Sequence, residues 1–220
     1  MFLRLKFLGH AGFEITLDGR RIIVDPFITG NKSSKLKLTD IEKADIVAVT
    51  HSHFDHLGDA IEIAKRDNCT FLCFTELGKI AAGKGLGDVV ALNTGGSHEV
   101  KGIDVVCTQA FHTGDPCGFV FIGKERRVYH AGDTGLFGDM ALIGEMYKPD
   151  VALLPIGGYF TMGPYEAAKA AELIRAKFVV PMHYNTFDLI RQDPDEFRRM
   201  VRERISSDVI IIKEGESVNI

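Results

Sequence analysis

Four groups able to bind a metal fall within six residues of the stretch 49–59: His51, His53, Asp55 and His56. They follow the apolar run Ile46-Val47-Ala48-Val49, which reads as a buried strand. Alternation in an extended segment would set His51, His53 and Asp55 on one side, and a turn into a helix starting near Leu57 would bring His56 round. All four cannot easily reach one small cation. The spacing favours two neighbouring cations, with His51 and His53 on one and Asp55 and His56 on the other. Imidazole with carboxylate suits zinc first, then manganese, iron or nickel. The competing reading is a polar strand-to-helix turn capped by Asp55, but three histidines and an aspartate exceed what a cap needs.

Other apolar runs stop at similar groups. The run 105–111 ends at His112, the run 128–132 at Asp133, and strand 178–180 leads through Pro181-Met182 to His183. A single strand-end histidine means little. Four strand ends that deliver His51, His112, Asp133 and His183 indicate one edge of a packed sheet pair where they converge. Gly132 would let backbone approach that edge closely. Asp25 ends the run Ile22-Ile23-Val24 and is placed to hydrogen-bond a ligand histidine or the loop that carries it; the alternative is a turn former. His10, in the turn Gly9-His10-Ala11-Gly12, either supports the site in the same way or is satisfied within its own loop. His130 lies inside a strand and reads as core or as a support of the site, and His98 beside Gly95-Gly96 as exposed.

The elements that must position these groups follow from periodicity and turn chemistry. Residues 2–8, 12–17 and 20–24 read as strands, with Asp18-Gly19 as a hairpin turn. Residues 28–43, rich in Lys, Ser and Asn, form a loop, read as ordinary surface in preference to a lid. A helix over 57–67, a strand over 70–74 and a helix from Glu76 to the glycines near Gly83 and Gly85 come next. Strands then crowd at 88–92, 97–100, 103–110, 117–122 and 127–130. The second half turns helical: helix 137–146, strand 151–154, loop 155–163, a helix opened by Pro164 and running to Ala176, strand 178–180, helix 194–205, and strands 208–212 and 217–219. No linker, repeat or low-complexity segment interrupts the chain. One domain over 1–220 is expected, with many strands and helices on both outer sides.

The pattern His51-x-His53-x-Asp55-His56 resembles the signature of the metallo-β-lactamase superfamily. The segments Leu8-Gly9-His10-Ala11-Gly12-Phe13, Asp25-Pro26, Ala131-Gly132-Asp133-Thr134 and Pro155-Ile156-Gly157-Gly158 extend the resemblance over nearly the whole chain. They resemble one branch in particular, the small metal-dependent hydrolases related to L-ascorbate-6-phosphate lactonase and N-acylphosphatidylethanolamine phospholipase D. The resemblance implies an αββα four-layer sandwich, two mixed β-sheets face to face with helices outside and metals at one edge. It implies His51, His53 and His112 as ligands of a first metal, Asp55, His56 and His183 as ligands of a second, and Asp133 as the bridging carboxylate. His53 stands where the flavodiiron oxygen-reducing branch has Glu, which argues against redox chemistry.

Two cations a few ångströms apart would lower the pKa of a shared water toward 7 and polarise the oxygen of a carbonyl or phosphorus centre. Asp55 would orient that water as well as bind metal. No Gly-x-Ser-x-Gly elbow is present. The expected function is a dinuclear metal-dependent hydrolase of a small ester, lactone or phosphodiester. The alternatives are a nucleic-acid phosphodiesterase and a metal-binding oxidoreductase or sensor on the same scaffold. Tyr159, Thr161 and Asn185 follow strands that feed the same edge; they are candidates to line the mouth, with ordinary loop residues as the alternative.

Composition bounds the rest. The chain has 220 residues, 45% of them hydrophobic and 25% charged, with a formal charge of −4 that two divalent cations would roughly cancel. It carries no basic block, so no nucleic acid is expected as partner, and no apolar stretch approaches the ~20 residues of a membrane span. The alternating N-terminus lacks a signal pattern, so a cytoplasmic protein acting on a small molecule is expected, with a homo-oligomer open. The four cysteines, Cys69, Cys73, Cys107 and Cys117, form no Cys-x-x-Cys pair and read as small core residues.

Overall fold

A computed structural model of the chain describes residues 3–220; Phe2, the start of the expected first strand, lies outside the described residues. The N-terminal half builds one sheet from β1 (Arg4–Gly9), β2 (Gly12–Leu17), β3 (Arg20–Val24), β4 (Ile46–Val49), β5 (Thr70–Phe74) and β6 (Val89–Leu92). The second sheet uses β7 (Ser97–Val100), β8 (Ile103–Gln109), β9 (Cys117–Ile122), β10 (Arg127–His130), β11 (Val151–Pro155), β12 (Phe178–Met182) and β13 (Asp208–Val209). The last strand, β14 (Ser217–Asn219), returns to the first sheet, beside β1. Hairpins make the antiparallel pairs except that of β1 with the distant β14; β3 to β6 and β10 to β13 run parallel.

The unbroken apolar runs have a direct cause. In β4, Ile46 and Ala48 face the core between the sheets, while Val47 and Val49 face helices on the outer side. In β11, Val151 and Leu153 point inward and Ala152 and Leu154 outward. A strand covered on both faces must be apolar at every position. The outer layer of the first sheet is α2 (Ala60–Asp67) and α3 (Thr75–Gly83), preceded by the single turn α1 (Phe54–Leu57). That of the second sheet is α4 (Met140–Tyr147), α5 (Pro164–Ile174) and α6 (Pro194–Arg204). Ala167, Ala168, Ala170 and Ala171 are all buried, so α5 lies close against its neighbours. The result is the αββα four-layer sandwich with two mixed sheets.

Topology brings the strand ends together. β1 and β3 each run antiparallel to β2, and β3 is parallel to β4, so β1, β3 and β4 end at one edge. By the same logic β8, β10 and β12 end at one edge of the second sheet.

Several boundaries differ from the sequence reading. The expected helix over 57–67 is two pieces, α1 and α2, broken at Gly58, whose φ of 36° reverses the chain. A Cβ at Gly58 would lie 2.2 Å from the Pro26 carbonyl oxygen, so the two segments can cross only at a glycine. His51, His53 and Asp55 therefore do not share one side of an extended segment: the strand stops at Val49 and Asp55 rides on the helical turn. The helix expected over 137–146 starts later, at Met140, and the strand expected over 208–212 keeps ladder pairing only at Asp208 and Val209. The loop 28–43 is fastened down. Asp59 accepts the N–H groups of Ile28 and Thr29, Glu214 accepts the Lys35 N–H and the Ser34 hydroxyl, and Ile28, Asn31 and Ile41 are buried. All four cysteines are free and buried. Among the described residues, no helix is long and apolar enough to cross a membrane.

Candidate metal centre

The chain leaves β4 through Thr50 and His51. His53 then precedes α1, which carries Asp55 and His56 on its first turn, and β8, β10 and β12 release His112, Asp133 and His183. The backbone is held in sparsely populated conformations here: His10, Asp25 and His183 have φ of 56°, 46° and 55°. The His183 N–H donates to the His10 carbonyl at 2.7 Å, stitching the two sheets together beside the site. Gly132 also has positive φ, and a Cβ there would meet the Cys117 carbonyl oxygen at 2.4 Å, so the close approach expected at this glycine is a steric requirement.

Ligand atoms gather in neighbouring sets, each within 4.8 Å: His51, His53 and His112 in one, His10, Asp55, His56 and His183 in another, and His51, His56 and Asp133 in a third that overlaps both. The Asp133 Oδ2 atom lies 3.2 Å from His56 Nε2, 3.5 Å from His112 Nε2 and 3.0 Å from His183 Nε2. His51 Nε2 and His53 Nδ1 are 3.0 Å apart.

A fully buried carboxylate behind the cluster decides which ring nitrogens face it. Asp25 Oδ1 accepts the Thr50 N–H at 2.8 Å, and Oδ2 accepts the Thr50 hydroxyl at 2.6 Å and His56 Nδ1–H at 2.7 Å. Having donated its proton, the Thr50 oxygen is the acceptor for His51 Nδ1–H at 3.1 Å. In the neutral rings Nε2 of both His51 and His56 is then a lone pair. Burial drives the His51 pKa down to about 3, so that lone pair is available at neutral pH. Burial also disfavours charge on His56, but the flanking carboxylates of Asp133 and Asp25 outweigh it and raise its pKa well above the ordinary value. A cation and a proton therefore compete for His56 Nε2. Burial pushes the Asp133 carboxyl up, and His56 and His183 overcome that and hold it well below the usual range.

His10 is buried and engaged on both nitrogens, 3.1 Å from Asp55 Oδ2 through Nε2 and 2.9 Å from the Thr186 hydroxyl through Nδ1. An ionised carboxylate can only accept, so the His10 proton sits on Nε2 and Thr186 donates to Nδ1. Burial opposes ionisation of Asp55, but the His10 hydrogen bond and the His56 field prevail and depress its pKa. His130 is buried too: its Nε2 donates to the Ala11 carbonyl at 2.9 Å and its Nδ1 accepts the Gly132 N–H at 3.1 Å, bracing the turn into Asp133. His98 is exposed.

Residues 4–183 match the model of the Beta-lactamase superfamily domain. The chain belongs to the metallo-β-lactamase superfamily. It is 50% identical to a UPF0173 metal-dependent hydrolase of Caldivirga maquilingensis, covering 98% of this chain and 97% of that one. With a UPF0173 metal-dependent hydrolase of Methanopyrus kandleri the identity is 48%, over 98% of this chain and 99% of the other. Among solved structures it is similar to Igni18, a metallo hydrolase from Ignicoccus hospitalis, with 40% identity, a TM-score of 0.95, and coverage of 100% of this chain and 99% of the other. The chain is a metal-dependent hydrolase.

The residues present fit a metal of this superfamily. His56 Nε2 and Asp133 Oδ1 are buried without a hydrogen-bond partner, and each such atom costs on the order of 1–3 kcal/mol unless a ligand satisfies it. Imidazole nitrogens 3.0–3.5 Å from one another or from a carboxylate oxygen have the spacing of donors sharing one small cation, since tetrahedral zinc at 2.0–2.1 Å sets its ligands roughly 3.4 Å apart.

Above the donors opens a cavity of about 490 Å³, with His53, Asp55, His112, Asp133 and His183 in its wall and Phe54, Thr113, Phe160, Phe187 and Leu189 around it. The three residues expected at the mouth are not among its lining residues. Tyr159 is exposed and packs edge-on against Phe160 at 4.8 Å, the Thr161 hydroxyl donates to the Met162 carbonyl, and Asn185 is tied to Gln192 at 2.9 and 3.0 Å. No residue of the 28–43 loop lines it either. Sequence reasoning missed Thr50, Thr186 and the apolar rim. Thr50 directly precedes His51 and Phe54 lies inside the metal motif, so position alone could have found both; nothing local marks Thr186 as the partner of His10.

Proposed function

We propose that the chain is a dinuclear metal-dependent hydrolase that cleaves a small ester, lactone or phosphodiester with water. The observation that carries this reading is the position of Asp133, one carboxylate oxygen within 3.5 Å of imidazole nitrogens of both His112, from one donor set, and His56 and His183, from the other. In this reading His51, His53 and His112 hold one cation, Asp55, His56 and His183 hold its neighbour, and Asp133 is shared. When bound, two divalent cations, zinc foremost with manganese, nickel or iron as alternatives, supply a water acidified toward neutral pH and polarise the substrate oxygen.

The remaining work falls to the protein. Asp25 keeps the His56 proton on Nδ1, and through Thr50 does the same for His51. His10 donates to Oδ2 of Asp55, so Oδ1 is left to face the cation with one lone pair and to orient the attacking water with the other. The depressed pKa of Asp55 suits an orienting acceptor that stays ionised. The small cavity and the absence of any Lys or Arg in its lining support a small-molecule substrate over nucleic acid. The resemblance to lactonase and phospholipase D relatives supports the choice of ester, lactone or phosphodiester.

The test is elemental analysis of protein reconstituted with zinc, manganese or nickel, followed by a screen of lactones, esters, cyclic nucleotides and bis-p-nitrophenyl phosphate. Close to two metals per chain and turnover of at least one class are expected. Fewer than one metal per chain would sink the dinuclear reading; redox-active iron without any hydrolytic turnover would favour an oxidoreductase.

A further inference from the structure

Four large apolar side chains crowd the open side of the donor cluster. Phe54 is 69% exposed, Leu189 59% and Phe160 47%, and Phe187 joins them in lining the cavity. Exposed apolar groups this large normally scatter singly; gathered around one cavity they mark a binding surface. Phe54 comes from the first half of the fold and the other three from the second, so the rim spans the same junction as the donors. It is also built to last. Phe54 and Phe187 pack on each other with ring centroids 6.3 Å apart, both pack on the buried Phe27 at 5.6 and 6.5 Å, and Phe187 sits edge-on to His10 at 5.4 Å.

Positively charged side chains are scarce in the same place. The segments 51–57, 110–116 and 157–163 contain no Lys or Arg, and the single cation of 184–192, Arg191, is exposed and paired with Asp188 at 2.7 Å. A phosphorylated or otherwise anionic substituent reaching the rim would lose its hydration and find among these segments only Arg191, already paired with Asp188. An alkyl or aryl substituent would bury the exposed faces of Phe54, Phe160 and Leu189 while its polar centre reached Asp55 and Asp133 below.

We propose that the substrate is an uncharged carboxylic ester or lactone whose acyl side is a medium-length alkyl or aryl group held by Phe54, Phe160, Phe187 and Leu189. This rests on the hydrolase reading above. The oxygen of water bonds to the acyl carbon, the acyl carbon–oxygen bond breaks, one water proton passes to the departing alkoxide and the other leaves to solvent, so that a carboxylate and an alcohol (in one molecule for a lactone) are released.

The experiment has two arms. In the first, kcat/KM is measured for p-nitrophenyl acetate, butyrate and hexanoate with metal-loaded enzyme. Full burial is worth about fourfold per methylene, which is ~0.8 kcal/mol; on a rim open on one side, a rise of at least tenfold from acetate to hexanoate is expected. Phe54→Ala and Leu189→Ala should flatten that series, whereas Leu142→Ala, an exposed leucine on α4 outside the rim, should not. In the second arm, binding of the unreactive methyl ketones 2-butanone, 2-hexanone and 2-octanone is measured by ligand-observed NMR, with metal loaded and after chelation. Affinity should rise with chain length in both states and lose that dependence in Phe54→Ala. Ketones that bind with no chain-length dependence overturn the proposal whatever the esters do. Ketones that follow chain length while no ester is hydrolysed support the apolar rim and refute the ester reading. A dimer in solution that Leu189→Ala or Phe54→Ala dissociates would show that the rim serves a second copy of the chain, and would also overturn it.

Discussion

Asp55 illustrates how much of the chemistry depends on a single atom. Oδ2 accepts from His10 at 3.1 Å, which leaves Oδ1 to serve both the proposed cation and its water. Asp55→Asn keeps size and shape. With its amide oxygen still accepting from His10, it would turn an NH₂ donor toward the position where an acceptor is needed. Turnover of a substrate identified by screening should fall by roughly 10²–10⁴-fold at matched metal occupancy; retention of more than about a tenth of wild-type turnover would remove Asp55 from the water-orienting role. Asp25 presents the complementary case. It touches no cavity, yet accepts from Thr50 N–H, the Thr50 hydroxyl and His56 Nδ1. Asp25→Asn introduces a donor against one of these donors and weakens control of the His51 and His56 tautomers. Metal affinity measured by competition with a chelating dye should drop about 10–100-fold with the fold retained, and wild-type affinity in the variant would return Asp25 to a turn former.

At the level of elements, the site is the consequence of strands that stop in register at one edge and of one interrupted helix. Gly58 separates α1 from α2 and lets the motif turn back beneath Pro26. Gly58→Ala must relieve a 2.2 Å contact with a backbone oxygen at a φ of 36°, and the expected loss is about 1–3 kcal/mol of stability. Chemical denaturation should show it as a lower midpoint at constant slope. A variant as stable as wild type would mean that α1 and α2 can shift independently of Pro26. Asp59, immediately after, satisfies two backbone N–H groups of the 28–43 loop. That connection explains why a polar, lysine-rich segment lies flat on the fold without reaching the cavity.

Over the whole molecule, the donor cluster sits between the two sheets' strand ends, and both halves contribute to it. A cation bound there would bridge the halves, in addition to the His183 N–H bond to the His10 carbonyl. Stripping metal should leave His56 Nε2 and Asp133 Oδ1 buried and unsatisfied. Thermal unfolding should therefore shift down by several degrees in excess chelator and recover on adding metal. An unchanged Tm with metal loss confirmed would show that the halves hold together without the cluster.

The local features are legible in the amino-acid sequence itself. The candidate ligand turn is compressed into His51–His56, and apolar runs announce where β4 and β12 stop, because a strand buried on both faces must be apolar throughout and its first polar residue marks the edge; β8 and β10 carry Thr108, Gln109 and His130 within the strand, so their ends are less sharply marked. The layered fold follows from the same runs together with the resemblance they accompany. Tertiary structure alone decided the rest. His10 meets Asp55 across 45 positions and Thr186 across 176, and no local pattern encodes so distant a pairing. Phe160, and not its neighbours Tyr159 and Thr161, lines the cavity, because in an irregular loop the facing of each residue is set by the backbone path, here closed by the Gly158 N–H bond to the Met162 carbonyl and the Thr161 N–H bond to the Gly158 carbonyl. The break at Gly58 depends on how closely Pro26 approaches from another loop, a distance that exists only once the two segments are packed together.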